Sequence, residues 1–353
     1  MHTMLGDVLK IFLPSFIAFF VGMSITPFIS KHLYRQRMWK QVQREDNAVD
    51  MSQEYIRIHD EDSEKNTPRI GGIIIWSSII LATLSMVVVS IIAPEGISGT
   101  LNFLSRNQTV LPFLALVTAS LVGLADDMLQ IRPMQWLSAH GFSRSTFTLL
   151  VLGIGLMWGL WFFLKLGVSH IAIPFGGVLQ LGVWFVPFFM IVFFGTFSTG
   201  VIDGIDGLAG GIMAIIFGGF SFIAYFQDQI DIAAFCMVVT GGILAFLWFN
   251  TPPARFYMGE TGMFGLTSAL TVVAFLTDKV LWLPILAFPL VITAGSSIVQ
   301  IIAKKYFNKK ILRVAPLHHH LQSLGWSNEK IVMRYWIVTV MLSIVGIILA
   351  LIS

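Results

Sequence analysis

Near the middle of the chain, two long apolar runs are joined by the sequence Val201-Ile202-Asp203-Gly204-Ile205-Asp206-Gly207-Leu208-Ala209-Gly210-Gly211. Carboxylates and glycines are both unfavourable in a lipid-facing helix, so we predict that this stretch lies at a water boundary where the chain re-enters the membrane. Gly204 and Gly207 leave the backbone open to a ligand, and a helix that begins near Leu208 would point free N–H groups toward it. A simple polar turn between two membrane helices is the alternative interpretation.

The composition is that of a polytopic membrane protein. Hydrophobic residues make up 56% of the 353 residues and charged residues only 12%, against about 25% charged in soluble domains. Ten apolar runs each approach the ~20 residues that a helix needs to cross the hydrocarbon. These runs predict an all-α fold of ten transmembrane helices near residues 9–30, 70–93, 108–125, 145–166, 182–200, 207–226, 230–249, 261–278, 281–303 and 333–352.

The basic residues predict the orientation, because loops rich in Lys and Arg remain in the cytoplasm. With ten spans, eighteen of the 22 Lys and Arg residues fall on one face, most of them in the segments 31–69 and 304–334. We therefore expect this face to be cytoplasmic and both termini to be extracytoplasmic.

Several polar loops fall on that same predicted face. Their chemistry-bearing residues are the pairs Asp126–Asp127 and Asp203–Asp206, then Asn250 and Glu260, and finally the triplet His318, His319 and His320. Polar residues without a shared role would have fallen on both faces. The topology therefore predicts one common cytoplasmic site.

The remaining connections predict structural features around a single integral-membrane domain that spans residues 1–353. Residues 167–182 alternate in polarity around Pro174 and predict a small extracytoplasmic hairpin. The basic, aromatic segment 31–69 predicts a cytoplasmic loop with an interfacial helix. The segment 304–332 is predicted to be a second cytoplasmic loop, which carries the histidines. The net charge of +3 is small, and no nucleic-acid partner is expected.

The residue types at the predicted site favour phosphoryl transfer at a membrane surface. Carboxylates are the ligands that Mg²⁺ prefers. Glycine-rich turns, helix N-termini and the basic residues Lys65, Arg69, Arg255 and Arg313 favour phosphate binding. Three consecutive histidines could instead bind Zn²⁺, although neighbouring side chains in a sequence point in different directions.

Five segments, in order, give the chain a resemblance to the polyprenyl-phosphate N-acetylhexosamine-1-phosphate transferase superfamily. The triple histidine after Ala315-Pro316-Leu317 resembles the muramoyl-pentapeptide branch of that superfamily. The five segments are Lys65-Asn66-Thr67-Pro68-Arg69-Ile70-Gly71-Gly72, Ala125-Asp126-Asp127, Asp203-Gly204-Ile205-Asp206-Gly207-Leu208-Ala209, Phe249-Asn250 through Met258-Gly259-Glu260-Thr261-Gly262, and Arg313-Val314-Ala315-Pro316-Leu317-His318-His319-His320.

The resemblance implies a reaction and its participants. UDP-MurNAc-pentapeptide would donate its phospho-sugar to undecaprenyl phosphate, giving lipid I and UMP with Mg²⁺ as cofactor. It also implies a bacterial cytoplasmic membrane protein that contacts membrane lipids, has its active site facing the cytoplasm, and forms a homodimer. The acceptor lipid would lie beside a bent ninth span, which Pro289 and Gly295 weaken.

The resemblance also implies roles for individual residues. Asp126, Asp127, Asp203 and His318 would be catalytic, and Asp127 and Glu260 would bind the metal. The implied substrate-binding residues are Lys65, Thr67, Gly204, Ile205, Asp206, Asn250, Arg313, His319 and His320.

The sequence departs from the family pattern at four positions. Gln130 replaces an expected Lys, Glu260 an expected Asp, Gly200 an expected Asn and Gln322 an expected Glu; Arg132 is a candidate to supply the charge absent at Gln130. A sibling transferase for UDP-GlcNAc or another UDP-sugar is therefore an alternative. A transporter and an inactive scaffold are two others. Direct attack by the lipid phosphate and a covalent aspartyl intermediate both remain open.

Overall fold

A computed structural model describes residues 2–39, 67–93, 95, 101–105, 107–132 and 141–353. Every residue to which a site role is assigned above lies in these ranges except Lys65. Lys65 and the stretch 40–66, where most of the predicted interfacial helix would fall, lie outside the described residues.

The described chain is almost entirely helical, which confirms the predicted all-α membrane fold. Helices dominate because the backbone of an apolar run in lipid must satisfy its own hydrogen bonds, and a single segment can do this only as a helix. The helices are α1 (His2–Arg35), α2 (Ile73–Ile92), α3 (Asn107–Ile131), α4 (Arg144–Leu164), α5 (Phe185–Ser198), α6 (Leu208–Phe226), α7 (Ile230–Asn250), α8 (Gly259–Leu276), α9 (Leu283–Leu286), α10 (Phe288–Phe307), α11 (Leu317–Ser323) and α12 (Asn328–Ile352).

Within the described residues, nine helices are long and apolar enough to cross a membrane. A tenth span is obtained if the segments Val280–Leu286 and Phe288–Phe307, which meet at 84°, are counted together. The break falls at Ala287, two residues before Pro289. Proline has no backbone N–H to donate, so a helix cannot continue unbroken through this position. The predicted ninth span is therefore sharply bent, and the break precedes Gly295.

Helices α6, α7 and α8 form the centre of the bundle. Between 78% and 83% of the residues in their apolar windows are buried, compared with 28% for α1, α4 and α12. Such burial is expected of helices that are surrounded by other helices. Helix α3 packs along α8 and α1 packs along α7. This packing brings the end of α3, with its aspartate pair, to the start of α8.

The predicted hairpin is present between α4 and α5. Strands β1 (His170–Ala172) and β2 (Val178–Gln180) pair antiparallel, with Ile171 opposite Leu179. The predicted histidine loop contains helix α11, which carries all three histidines. The Gln300 side chain joins the preceding loop to α10, since it accepts from the N–H groups of Ile311 and Leu312 and donates to the Leu312 carbonyl.

Candidate active site

Asp127 connects the end of α3 to the beginning of α8. Its Oδ2 accepts a hydrogen bond from the Thr261 N–H at 2.8 Å, and its Oδ1 accepts one from the Glu260 N–H at 3.3 Å. The first N–H groups of a helix have no partner within the helix, and a carboxylate there is stabilised by the helix dipole. The contact fixes the Asp127 carboxylate beside the Glu260 side chain.

Asp203 reaches the same turn from the segment before α6. Its Oδ2 accepts a hydrogen bond from the Gly259 N–H at 3.2 Å. Gly259 has a φ of +69°, and a Cβ atom there would overlap the Arg69 carbonyl and lie 2.6 Å from Asp127 Oδ2. Glycine is therefore required for the close approach of these segments.

These residues line a cavity of about 380 Å³. Its lining combines charged and polar side chains with aromatic and aliphatic ones. Of the residues assigned a role from sequence, the lining includes Asp126, Asp127, Asp203 and Glu260; its other members are Arg69, Gln130, Phe142, Arg144, Phe147, Phe197, Gly200, Val201, Gly259 and Met263.

Asp126 lines the cavity and is buried, and two hydrogen-bond donors hold its carboxylate. Gln130 Nε2 donates to its Oδ2 at 2.7 Å, and the backbone N–H of Phe142 donates to its Oδ1 at 2.8 Å. Gln130 thus contacts Asp126 as a neutral donor. Arg132 hydrogen-bonds to Gln36 at 2.9 Å and does not belong to the cavity lining. It therefore does not supply the charge that Gln130 lacks.

Burial changes the protonation of the aspartates before α6. It raises the pKa of Asp203 to about 6, although the Gly259 N–H and the Arg69 charge act in the opposite direction. Burial also raises the pKa of Asp206, and the Ala254 N–H partly offsets this effect. Near neutral pH, Asp203 is predominantly a carboxylate that can accept a proton or bind a cation.

Asp206 and Asn250 hold the loop after α7 against the turn before α6. Asp206 Oδ2 accepts from the Ala254 N–H at 3.0 Å. Asn250 accepts from the Gly207 N–H and donates to the Phe256 carbonyl, both at 2.9 Å. Neither residue belongs to the cavity lining in the described part of the chain. Their hydrogen bonds hold the turn before α6 and the loop after α7 together.

The histidines divide into two groups. His318 and His319 are buried, and a Cβ atom on Gly204 would lie 2.6 Å from His318 Nε2 and 2.9 Å from His319 Nε2. Both imidazoles therefore pack against the backbone next to Asp203. His319 Nδ1 is hydrogen-bonded to Gln322 Oε1 at 2.6 Å, so Gln322 orients this ring.

Other predicted site residues lie away from the cavity. His320 Nδ1 accepts from the Arg313 N–H at 3.3 Å, and the Arg313 guanidinium donates to the Ser323 carbonyl at 3.2 Å. Ile205 belongs to the main hydrophobic core. Thr67 is half-buried and, like these residues, is absent from the described cavity lining.

The donor atoms around the cavity fit Mg²⁺. Four carboxylates line it, from Asp126, Asp127, Asp203 and Glu260, against the two guanidinium groups of Arg69 and Arg144. This excess of negative charge in a partly buried site favours a bound cation. Among the described residues, no three His, Cys, Asp or Glu side chains converge closely enough to hold a metal alone. Mg²⁺ commonly keeps water and takes substrate phosphate oxygens as further ligands.

Two arginines also line the cavity, Arg69 and Arg144. The sequence indicates Arg69 as one of several candidate phosphate contacts, but no sequence motif singles out Arg144. The signal that would have found Arg144 is its place at the start of α4, where a basic residue is unfavourable for the helix dipole.

Comparison with known proteins places this site within a described family. The family model for glycosyl transferase family 4 matches residues 109–278, which include all four cavity carboxylates. A phospho-N-acetylmuramoyl-pentapeptide-transferase of Bacillus anthracis (strain A0248) is 30% identical over 336 residues, or 94% of this chain and 95% of the relative. The enzyme of that name from Chloroflexus aurantiacus (strain ATCC 29366 / DSM 635 / J-10-fl) is 30% identical over 300 residues, covering 81% and 77%.

Proposed function

The chain belongs to glycosyl transferase family 4, among the polyprenyl-phosphate sugar-1-phosphate transferases, and from this membership we propose that it makes lipid I. In this reaction, phospho-MurNAc-pentapeptide passes from UDP-MurNAc-pentapeptide to undecaprenyl phosphate, and UMP is released. The similarity to enzymes named for this activity, over nearly the whole chain, supports the choice of donor. We place the enzyme in the bacterial cytoplasmic membrane with its cavity facing the cytoplasm.

The observation that carries this proposal is the meeting of Asp127, Asp203 and Glu260 at one cavity. They come from three separate segments, and the backbone N–H groups of residues 259–261 hold two of them. Catalysis of phosphoryl transfer depends mainly on positioning and on electrostatic stabilisation. A fixed group of carboxylates with two arginines at the end of a membrane bundle supports this chemistry.

We infer direct attack by the acceptor. An oxygen of undecaprenyl phosphate forms a bond to the β-phosphorus of the donor, and the bond from that phosphorus to the UMP oxygen breaks. Asp126 lines the cavity, where it orients the acceptor and accepts its remaining proton. Trapping a phospho-sugar on Asp126 or Asp127 in the absence of acceptor would contradict this order and favour a covalent intermediate.

Asp127 and Glu260 would hold Mg²⁺, which when bound neutralises the diphosphate and stabilises the leaving UMP. Asp203 is a further member of this set of carboxylates, and the Gly259 N–H holds it in place. We assign His318 to the donor side of the site, because its ring packs against Gly204 beside Asp203. His319, Asp206 and Asn250 hold the turn and loop that frame this region.

A donor assay tests the proposal. Purified protein is incubated with Mg²⁺, undecaprenyl phosphate and either UDP-MurNAc-pentapeptide or UDP-GlcNAc, and lipid-linked product and UMP are measured. We expect product from the muramoyl donor, and none after chelation of the metal. Product from UDP-GlcNAc alone would identify a sibling transferase. Absence of product from every UDP-sugar, with binding of prenyl phosphate intact, would contradict the enzymatic function.

A further inference from the structure

Arg144 is an exposed basic residue on the wall of the carboxylate cavity. It begins helix α4 directly after Ser143, whose Oγ caps the helix by accepting the Thr146 N–H at 3.1 Å. A cation in the first turn opposes the helix dipole, so helix stability does not explain it. Within the described part of the chain, Arg144 takes part in no ion pair.

The other cavity arginine has a different environment. Arg69 is half-buried, and its charge acts on the carboxylates, as its effect on Asp203 shows. The Arg69 guanidinium therefore neutralises part of the negative charge of the protein's own carboxylates. Arg144 is more exposed and remains available to an anion that enters the cavity from outside.

An aromatic wall adjoins Arg144. The rings of Phe142 and Phe147 stack with centroids 6.3 Å apart, and Phe147 contacts Phe197 at 5.5 Å. All three side chains line the cavity. A ligand that fits both surfaces has an anionic group attached directly to a hydrocarbon chain.

We propose that Arg144 binds the phosphate of the polyprenyl phosphate acceptor, while Phe142, Phe147 and Phe197 contact its first isoprene unit. This assignment rests on the proposed function, which supplies the acceptor. A guanidinium group can bind two phosphate oxygens at once, and such charge-assisted pairs are stronger than neutral hydrogen bonds. The donor diphosphate offers the same anionic chemistry, but the apolar wall favours the acceptor.

Equilibrium binding to the purified chain tests the proposal without requiring turnover. Calorimetric titrations would use farnesyl phosphate, farnesol and UMP against wild type, Arg144→Gln, Arg144→Lys and Arg132→Gln. Arg132 is the matched control, because it is an exposed arginine just after α3 that contacts Gln36 and does not line the cavity. Thermal unfolding of each variant reports folding.

We expect Arg144→Gln to weaken farnesyl phosphate binding by about 10- to 100-fold, since one charge-assisted contact is lost. Arg144→Lys should retain part of the affinity, and farnesol and UMP binding should change less than about twofold. Arg132→Gln should match wild type for all three ligands.

Unchanged farnesyl phosphate affinity in a folded Arg144→Gln variant would overturn the proposal, as would a loss confined to UMP. Wild type that binds farnesyl phosphate no better than farnesol would also overturn it. A transferase assay on the same samples separates the two conclusions. Failure of wild type to turn over any UDP-sugar, with Arg144-dependent phosphate binding intact, contradicts the proposed function alone.

Discussion

Asp127 Oδ2 lies 2.8 Å from the backbone nitrogen of Thr261, a residue 134 positions later in the chain. This hydrogen bond joins the end of α3 to the first turn of α8. It also places the Asp127 carboxylate beside Glu260, so that fold and candidate chemistry depend on the same contact. Substitutions here should affect both stability and activity, and the two effects can be separated.

Replacing Asp127 with Asn should reduce kcat by about 100-fold or more, because it removes a fixed charge from the reacting centre. Stability should fall by about 1–2 kcal/mol, since the amide NH₂ cannot accept from a backbone N–H. Turnover and the free energy of unfolding are measured on the same samples. Asp228→Asn is the control, because Asp228 is an exposed residue with positive φ that Asn tolerates. Equal losses in both variants would argue against a site role for Asp127.

Glu260→Gln should raise the Mg²⁺ concentration for half-maximal activity by about 10- to 100-fold, as expected when a metal-site carboxylate is neutralised. Glu260→Asp keeps the charge, so its Mg²⁺ concentration for half-maximal activity should lie between those of Glu260→Gln and wild type. A magnesium titration of turnover measures this directly. If all three proteins require the same Mg²⁺ concentration, Glu260 does not bind the metal.

Asp203 should make the metal-free protein more stable in mild acid. Burial raises its folded-state pKa from 3.8 to about 6, so the folded state binds more protons than the unfolded state between these values. The free energy of unfolding should therefore decrease as pH rises from about 4 to about 6, by up to about 3 kcal/mol for this group. Chemical unfolding in EDTA at several pH values measures the slope. Asp203→Asn should lack this contribution, and parallel curves for both proteins would contradict the assignment.

Gly204→Ala should disrupt the contact between the turn and the buried histidines. The added methyl group would lie 2.6 Å from His318 Nε2, so the ring or the backbone must shift. We expect a loss of about 1–3 kcal/mol in stability, typical of overpacking, and a lower kcat. Gly218→Ala is the control, because nothing lies within 4 Å of its added Cβ. Wild-type behaviour of Gly204→Ala would show that His318 can move without consequence.

The sequence by itself determined the membrane architecture. Run length is a local property, and a run of about 20 apolar residues is stable in lipid only as a helix. The ten runs therefore predicted, within several residues, the bounds of the nine spanning helices of the described residues and of the bent pair that can make a tenth. The aspartate pairs and Glu260 were identified as candidates because carboxylates are costly within such runs.

Only the tertiary structure decided which of those candidates line the cavity. Asp206 and Asn250 are polar like the cavity residues, yet they bind backbone atoms of the turn before α6 and of the loop after α7. Arg144 lines the cavity whereas Arg132 contacts Gln36. These differences depend on how separate segments of the chain pack, across the 96 positions between Arg132 and Gln36 and the 48 between Asp206 and Ala254. Side-chain direction at a loop is set by such packing, which no local pattern in the sequence contains.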